Sequence, residues 1–123
     1  MYHSGETSLP HLQCQVQLPG CAINVGEGVS IADVQRALGR PKCLLGNFDP
    51  ILLRDGTPEQ IAEEAGRMVR ANLSGGHYVF NTGEGVMYTT PEANVEAMMR
   101  AARRATDELH PPASATSRTS VRE

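Results

Sequence analysis

The chain has 123 residues, no tryptophan, two phenylalanines and three tyrosines. Its core must therefore be built from Leu, Ile, Val, Met and Ala. It has one lysine, Lys42, and ten arginines scattered without a basic stripe. Acids outnumber bases 14 to 11, for a net charge of −3, so binding driven by phosphate neutralisation is excluded and no nucleic-acid partner is expected. No apolar run approaches the roughly 20 residues of a membrane helix, so no membrane partner is expected either. Gly5, Glu6 and Pro10 interrupt any signal-peptide layout. The three cysteines are odd in number and lack paired spacing, which argues against a disulfide framework. The expected compartment is cytoplasmic. Hydrophobic residues make up 40%, which is globular usage, and the length suits one domain.

What is present is a rhythm. A short apolar run ends in small polar residues, and a capped helical pattern follows. Cys21-Ala22-Ile23-Asn24-Val25 has the composition of a buried strand. After Gly26-Glu27-Gly28, Ser30 is placed to cap a helix carrying Ile31, Val34 and Leu38 on one face, closed by Gly39. Cys43-Leu44-Leu45 predicts a second strand, and Gly46-Asn47-Phe48-Asp49-Pro50 has turn chemistry. Thr57-Pro58-Glu59-Gln60 predicts a capping box, with Ile61, Ala65, Met68 and Val69 as the apolar stripe. Tyr78-Val79-Phe80 predicts a third strand before the polar loop Asn81-Thr82-Gly83-Glu84-Gly85. Thr90-Pro91 opens a last helix with Val95, Met98, Met99 and Ala102 inward, and Arg100, Arg103 and Arg104 in its second half. The first twenty residues favour a short helix after a strand ending at Tyr2-His3-Ser4. From His110 onward a Pro-Pro pair and a Ser/Thr/Ala run predict a disordered tail over 110–123, leaving 1–109 as the domain.

Strand, loop and helix in repetition imply an α/β fold with a parallel sheet. In such folds ligands meet the loops at the carboxyl ends of the strands. The polar residues gather there: Ser4 and Glu6, Asn24 and Glu27, Asn47 and Asp49, Asn81 and Glu84. Such residues also cap helices and make turns, which is the plainer account of each loop alone.

Gly46-Asn47-Phe48-Asp49-Pro50 followed by Thr57-Pro58-Glu59 resembles the uroporphyrinogen decarboxylase family. So does Asn81-Thr82-Gly83-Glu84-Gly85 followed by Thr90-Pro91-Glu92-Ala93-Asn94-Val95. Tyr2-His3-Ser4-Gly5-Glu6-Thr7 is similar to the family's His-x-Cys-Gly-x-Thr segment. The likeness covers roughly residues 2 to 105. It implies the C-terminal part of a TIM-type (β/α)8 barrel, three to four βα units of parallel strands. A whole barrel needs eight strands and about 250 residues. The chain is then a fragment, or it joins a homodimer partner or a missing N-terminal barrel half.

The resemblance implies decarboxylation of acetate side chains on a tetrapyrrole, without a cofactor. Glu84 stands where the decarboxylases carry His and the zinc-dependent, corrinoid-linked methyltransferases carry Cys. With Asp49 and His3 it makes the expected catalytic set. Ser4, Asn24, Glu27, Asn47, Asn81, Gly83 and Gly85 make the expected substrate contacts. A zinc site would have only His3 and Glu84 as ligands, short of the three protein ligands that catalytic zinc takes. Cys21 and Cys43 begin strands and belong at the opposite end. His11, His77 and His110 have no evident partners, and Met87 suits a pocket mouth. A methyltransferase relative and a non-catalytic barrel module are the alternatives.

Overall fold

A computed structural model of the chain describes residues 2–39 and 42–113, with side chains from residue 5 onward. The elements follow the expected rhythm. Strand β1 (Tyr2–Glu6) leads to helix α1 (Leu9–Gln15), and β2 (Ala22–Val25) to α2 (Ile31–Leu38). Strand β3 (Cys43–Phe48) is followed by α3 (Pro50–Asp55) and α4 (Pro58–Asn72), and β4 (Tyr78–Thr82) by α5 (Glu92–Leu109). The four strands pair in chain order, all parallel. Asn24 faces Leu45 across β2–β3, and Leu44 faces Tyr78 across β3–β4.

The helix ends show why the chain folds locally as it does. Ser30 accepts a hydrogen bond from the Asp33 amide, and Gly39 closes α2 in the left-handed conformation that glycine enters without cost. Thr57 and Gln60 make both bonds of the capping box, with Pro58 at the first helical position.

Three expectations are corrected. Gly46 to Phe48 continue β3 rather than turning, and Asn81 and Thr82 continue β4. Asp49-Pro50 starts a further short helix, α3, because Asp49 accepts from the Ile51 amide at 2.8 Å and Pro50 fits the first turn. Helix α5 runs to Leu109, so Arg103 and Arg104 lie in its second half but Arg100 only at its middle, and its last turn has no basic residue. The helix ends where the domain was expected to end. Of the expected tail, 114–123 lie outside the described residues.

Alternate strand residues point to opposite faces. On one face Ile23, Val25, Leu44 and Tyr78 pack with Leu12 of α1 and Ile31 and Val34 of α2. Further along, Phe48 packs with Leu53, Ile61, Ala65, Met68 and Met98 from α3, α4 and α5. Phe48 and Phe80 meet edge to face, 6.2 Å between centroids. The opposite face carries Asn24, Leu45 and Val79, and Val79 is 48% exposed. Parallel strands in sequential order with helices on one side are the layout of a TIM-type barrel, here in part. Strands β1 and β4 each have one sheet neighbour.

Candidate functional site at the carboxyl ends of the strands

Asn24 organises the carboxyl end of the sheet. It is wholly buried. Its Oδ1 accepts from the Gly5 amide at 2.8 Å. Its Nδ2 donates to the carbonyls of Leu45 and Thr82, both at 3.3 Å. One side chain on β2 therefore reaches β1, β3 and β4. The Gly83 amide extends the β3–β4 ladder by donating to the Phe48 carbonyl at 2.8 Å.

The result is convergence. Gly5 has φ +57°, and a Cβ there would lie 2.7 Å from the Gly83 carbonyl and press into the Glu84 carboxylate. A Cβ on Gly83 would lie 2.5 Å from the Glu27 amide and 2.8 Å from Glu27 Oε2. Bare glycine at both points lets the two edge strands meet at their carboxyl ends. Gly5, Asn24, Glu27, Gly83 and Glu84 are thus brought together, with Glu84 and Gly85 exposed. Asn81, half-buried, pairs in register with Asn47.

Asn47 and Asp49 face a different space. Asn47 is buried, and its Nδ2 donates to the carbonyls of Gly26 at 2.8 Å and Val29 at 2.6 Å. With Glu27, Glu64 and Arg67 they line a cavity of about 330 Å³ between the start of α2 and α4. The Arg67 guanidinium holds Glu64 in a two-point contact, 2.8 and 2.6 Å, and keeps that carboxyl below its ordinary range. Glu27 stands at the junction of the two groups.

His3 and Ser4 lie in β1, and their side chains are outside the described residues. Glu6 ends that strand. The Ser8 amide above all, with the Thr7 amide and His11, holds its carboxyl below the usual range against the opposing effect of burial. His11 therefore has a partner, at 3.1 Å, which the sequence did not reveal. Another residue missed as a structural anchor is Asn94. Buried in α5, it donates to the carbonyls of Leu53 at 2.9 Å and Gly56 at 3.1 Å, closing the end of α3. Its place in the Thr-Pro-x-x-Asn pattern was the available signal. Cys21 and Cys43 sit at the opposite end of the sheet, and burial pushes the Cys43 thiol up. Among the described residues no group of three or more His, Cys, Asp and Glu could hold a metal ion. No helix among them is long and apolar enough to cross a membrane.

Comparison with known proteins agrees with this architecture. The family model described as uroporphyrinogen decarboxylase matches residues 1–105. The uroporphyrinogen decarboxylase of Chlorobium phaeovibrioides is 35% identical over 96 residues, 74% of this chain and 27% of that protein. That of Methylobacillus flagellatus is 30% identical over 99 residues, 80% of this chain and 28% of the relative. That of Pseudoalteromonas translucida is 37% identical over 78 residues, 63% and 21% of the two chains. The chain spans about a quarter of the length of the curated relatives it matches. Since the match takes in all four strands and most of α5, the chain belongs to the uroporphyrinogen decarboxylase family.

Proposed function

We propose that this chain supplies part of a site that removes carboxylate from acetate side chains of a tetrapyrrole, without a cofactor and in the cytoplasm. The observation that carries the reading is the convergence of Gly5, Gly83 and Glu84 at the carboxyl ends of the strands. In (β/α) barrels chemistry is done at that end. The named relatives are decarboxylases, which favours this reading over a corrinoid-linked methyltransferase.

In this proposal Glu84 accepts a hydrogen bond from a pyrrole N–H, and the backbone of Gly83 and Gly85 lets the flat ring approach. Asn81 and Ser4 contact substrate, Asn24 holds the loops in place, and His3 handles a proton. Loss of CO2 leaves an electron pair on the ring system, so a proton must arrive there. The convergence carries acids and, among the described residues, neither Lys nor Arg. A substrate with several carboxylates needs convergent cations and a closed pocket. Turnover therefore requires further strands, from a second copy or from a separate barrel part, that bring cations and exclude water.

The test is anaerobic turnover of uroporphyrinogen by the purified chain, alone and mixed with the complementary part of the Chlorobium phaeovibrioides relative. No turnover alone and turnover in the mixture are expected. Glu84→Gln in the mixture should lower it by about tenfold or more. Turnover by a monomer alone, or none in a mixture shown to associate, overturns the proposal.

A further inference from the structure

Exposed large hydrophobic side chains on the described surface mostly stand singly: Leu9, Leu18, Ile51, Val79, Met99 and Leu109. Scattered exposure of that kind is ordinary. Val86-Met87-Tyr88 differs. Three in a row are exposed, and Tyr88 is fully so. The run starts two residues after Glu84, in the loop from β4 to α5, at the carboxyl ends of the strands. Gly85 joins the two, and apart from its chain neighbours nothing lies within 4 Å of its Cβ position, so the space beside it is open. The loop is a built turn, because the Thr90 amide donates to the Met87 carbonyl at 3.0 Å. A turn that holds three apolar side chains in water forgoes the burial that such side chains otherwise gain.

We propose that Val86, Met87 and Tyr88 form an apolar lip that packs against one face of the tetrapyrrole macrocycle, beside the carboxylate of Glu84. The identity of the ligand rests on the decarboxylation reading; the lip adds the residues that recognise the ring rather than its acid arms. The loop from Gly83 to Pro91 has no Lys or Arg, and Glu84 and Glu92 flank the run. Carboxylates turned toward this segment would be repelled. The macrocycle itself presents apolar carbon faces and central N–H donors, which match an apolar run next to an acceptor. Tyr88 offers an aromatic plane for the pyrrole rings, and Met87 a thioether suited to aromatic contact. A protein partner fits less well. A stable protein interface buries about 800 Å² per partner. The largest of the three side chains here, a tyrosine, offers about 200 Å².

The experiment adds uroporphyrin, the oxidised planar form of the ring, to the full chain and follows the Val86 and Met87 methyl groups and the Tyr88 ring by NMR. The ring current of a porphyrin moves protons above its face strongly upfield, so the readout separates face contact from nearby charge. Mellitate at equal ionic strength is the control, since it carries carboxylates without a macrocycle. Saturable upfield shifts are expected at all three residues with uroporphyrin and none with mellitate, with Kd of about 0.1–1 mM. Met99 and Leu109, exposed further along α5, should not move. Tyr88→Ser should weaken binding about fivefold to tenfold, and Tyr88→Phe should keep it. Tyr88 is fully exposed, so neither change disturbs the core. Equal shifts at Met99 and Leu109, unchanged affinity in Tyr88→Ser, or absence of upfield shifts overturns the proposal. So do shifts that grow with protein concentration alone, which would assign the run to a second copy. Upfield shifts without turnover in the mixture of barrel parts would sink the decarboxylation reading and leave the lip. Turnover in that mixture without upfield shifts would sink the lip alone.

Discussion

The two ends of the sheet are held in different ways. At the carboxyl end three buried asparagines each place one Nδ2 between two backbone carbonyls: Asn24 on Leu45 and Thr82, Asn47 on Gly26 and Val29, Asn94 on Leu53 and Gly56. At the amino end a surface lysine does a similar task, Lys42 on the carbonyls of Leu18 and Gly20. The contrast has a physical cause. Loops and helix ends packed inside a structure leave carbonyls without regular backbone partners, and a buried carbonyl needs a donor. Carbonyls at the amino end lie near the surface, where water serves. A polar residue at the carboxyl end of a barrel strand is thus not by that fact a substrate contact; it can be the fastener that allows the site loops to converge.

Asn24→Ala should break this contrast most severely. It removes three hydrogen bonds that join β2 to the other three strands, one from the Gly5 amide and two to the Leu45 and Thr82 carbonyls. At about 1 kcal/mol per bond, and more where a group is left unsatisfied, the loss should be about 2–4 kcal/mol. Urea denaturation measures it as a lower midpoint at unchanged slope. A loss below about 1 kcal/mol would show that the carboxyl end is held by backbone pairing alone.

Asn94→Ala comes next, at about 1–2 kcal/mol, because its two carbonyls close a short helix at the edge of the core and partly recover water. Tyr78 sharpens the comparison from the other side. Its buried hydroxyl, at the start of β4, donates to the Gly46 carbonyl. Burial pushes its phenol up from the ordinary value, against smaller opposing effects of Asn72 and Arg67. The folded state then keeps the proton that the unfolded state releases near pH 10. Stability contributed by the neutral phenol is complete below that pH and is lost as pH rises above it. Tyr78→Phe should cost about 1 kcal/mol at neutral pH and remove much of the alkaline decline, as thermal unfolding between about pH 8 and 11 would show. An identical alkaline decline in Tyr78→Phe would place its cause elsewhere.

Local signals were legible in the sequence because their physics is local. Ser30 with Gly39, and Thr57 with Gln60, act within a few residues, and each sits where its spacing implied. The parallel sheet followed from the repeated strand–loop–helix order. Asp49-Pro50 has the chemistry of a helix start as well as of a turn, and the apolar Ile51-Leu52-Leu53 that follows decides for the helix. The asparagines were not legible in the same sense. Asn24 meets Thr82 across 58 positions and Asn94 meets Leu53 across 41, so their partners exist only after folding. The approach of Glu84 to Gly5 is likewise invisible until the edge strands converge.

The smallest effect is expected at Lys42, and it tests the contrast from the amino end. The chain's one lysine reaches back from just before β3 to the turn between α1 and β2, 2.6 Å from the Leu18 carbonyl and close to that of Gly20. Leu18 and Gly20 are exposed, so both carbonyls find water when the ammonium is removed. Lys42→Met keeps most of the stem and its packing and deletes only the donor. The expected loss is within about 0.5 kcal/mol, the range of ordinary surface changes. The turn should nonetheless open more often, because the ammonium ties Leu18 and Gly20 to the start of β3, where the Cys43 amide holds only the Cys21 carbonyl. Faster amide hydrogen exchange over residues 17–21, with unchanged exchange in β2 and β3, is the signature. A loss above about 1 kcal/mol would mean that both ends of the sheet depend on side-chain donors to the same degree, and that carbonyl burial does not separate them.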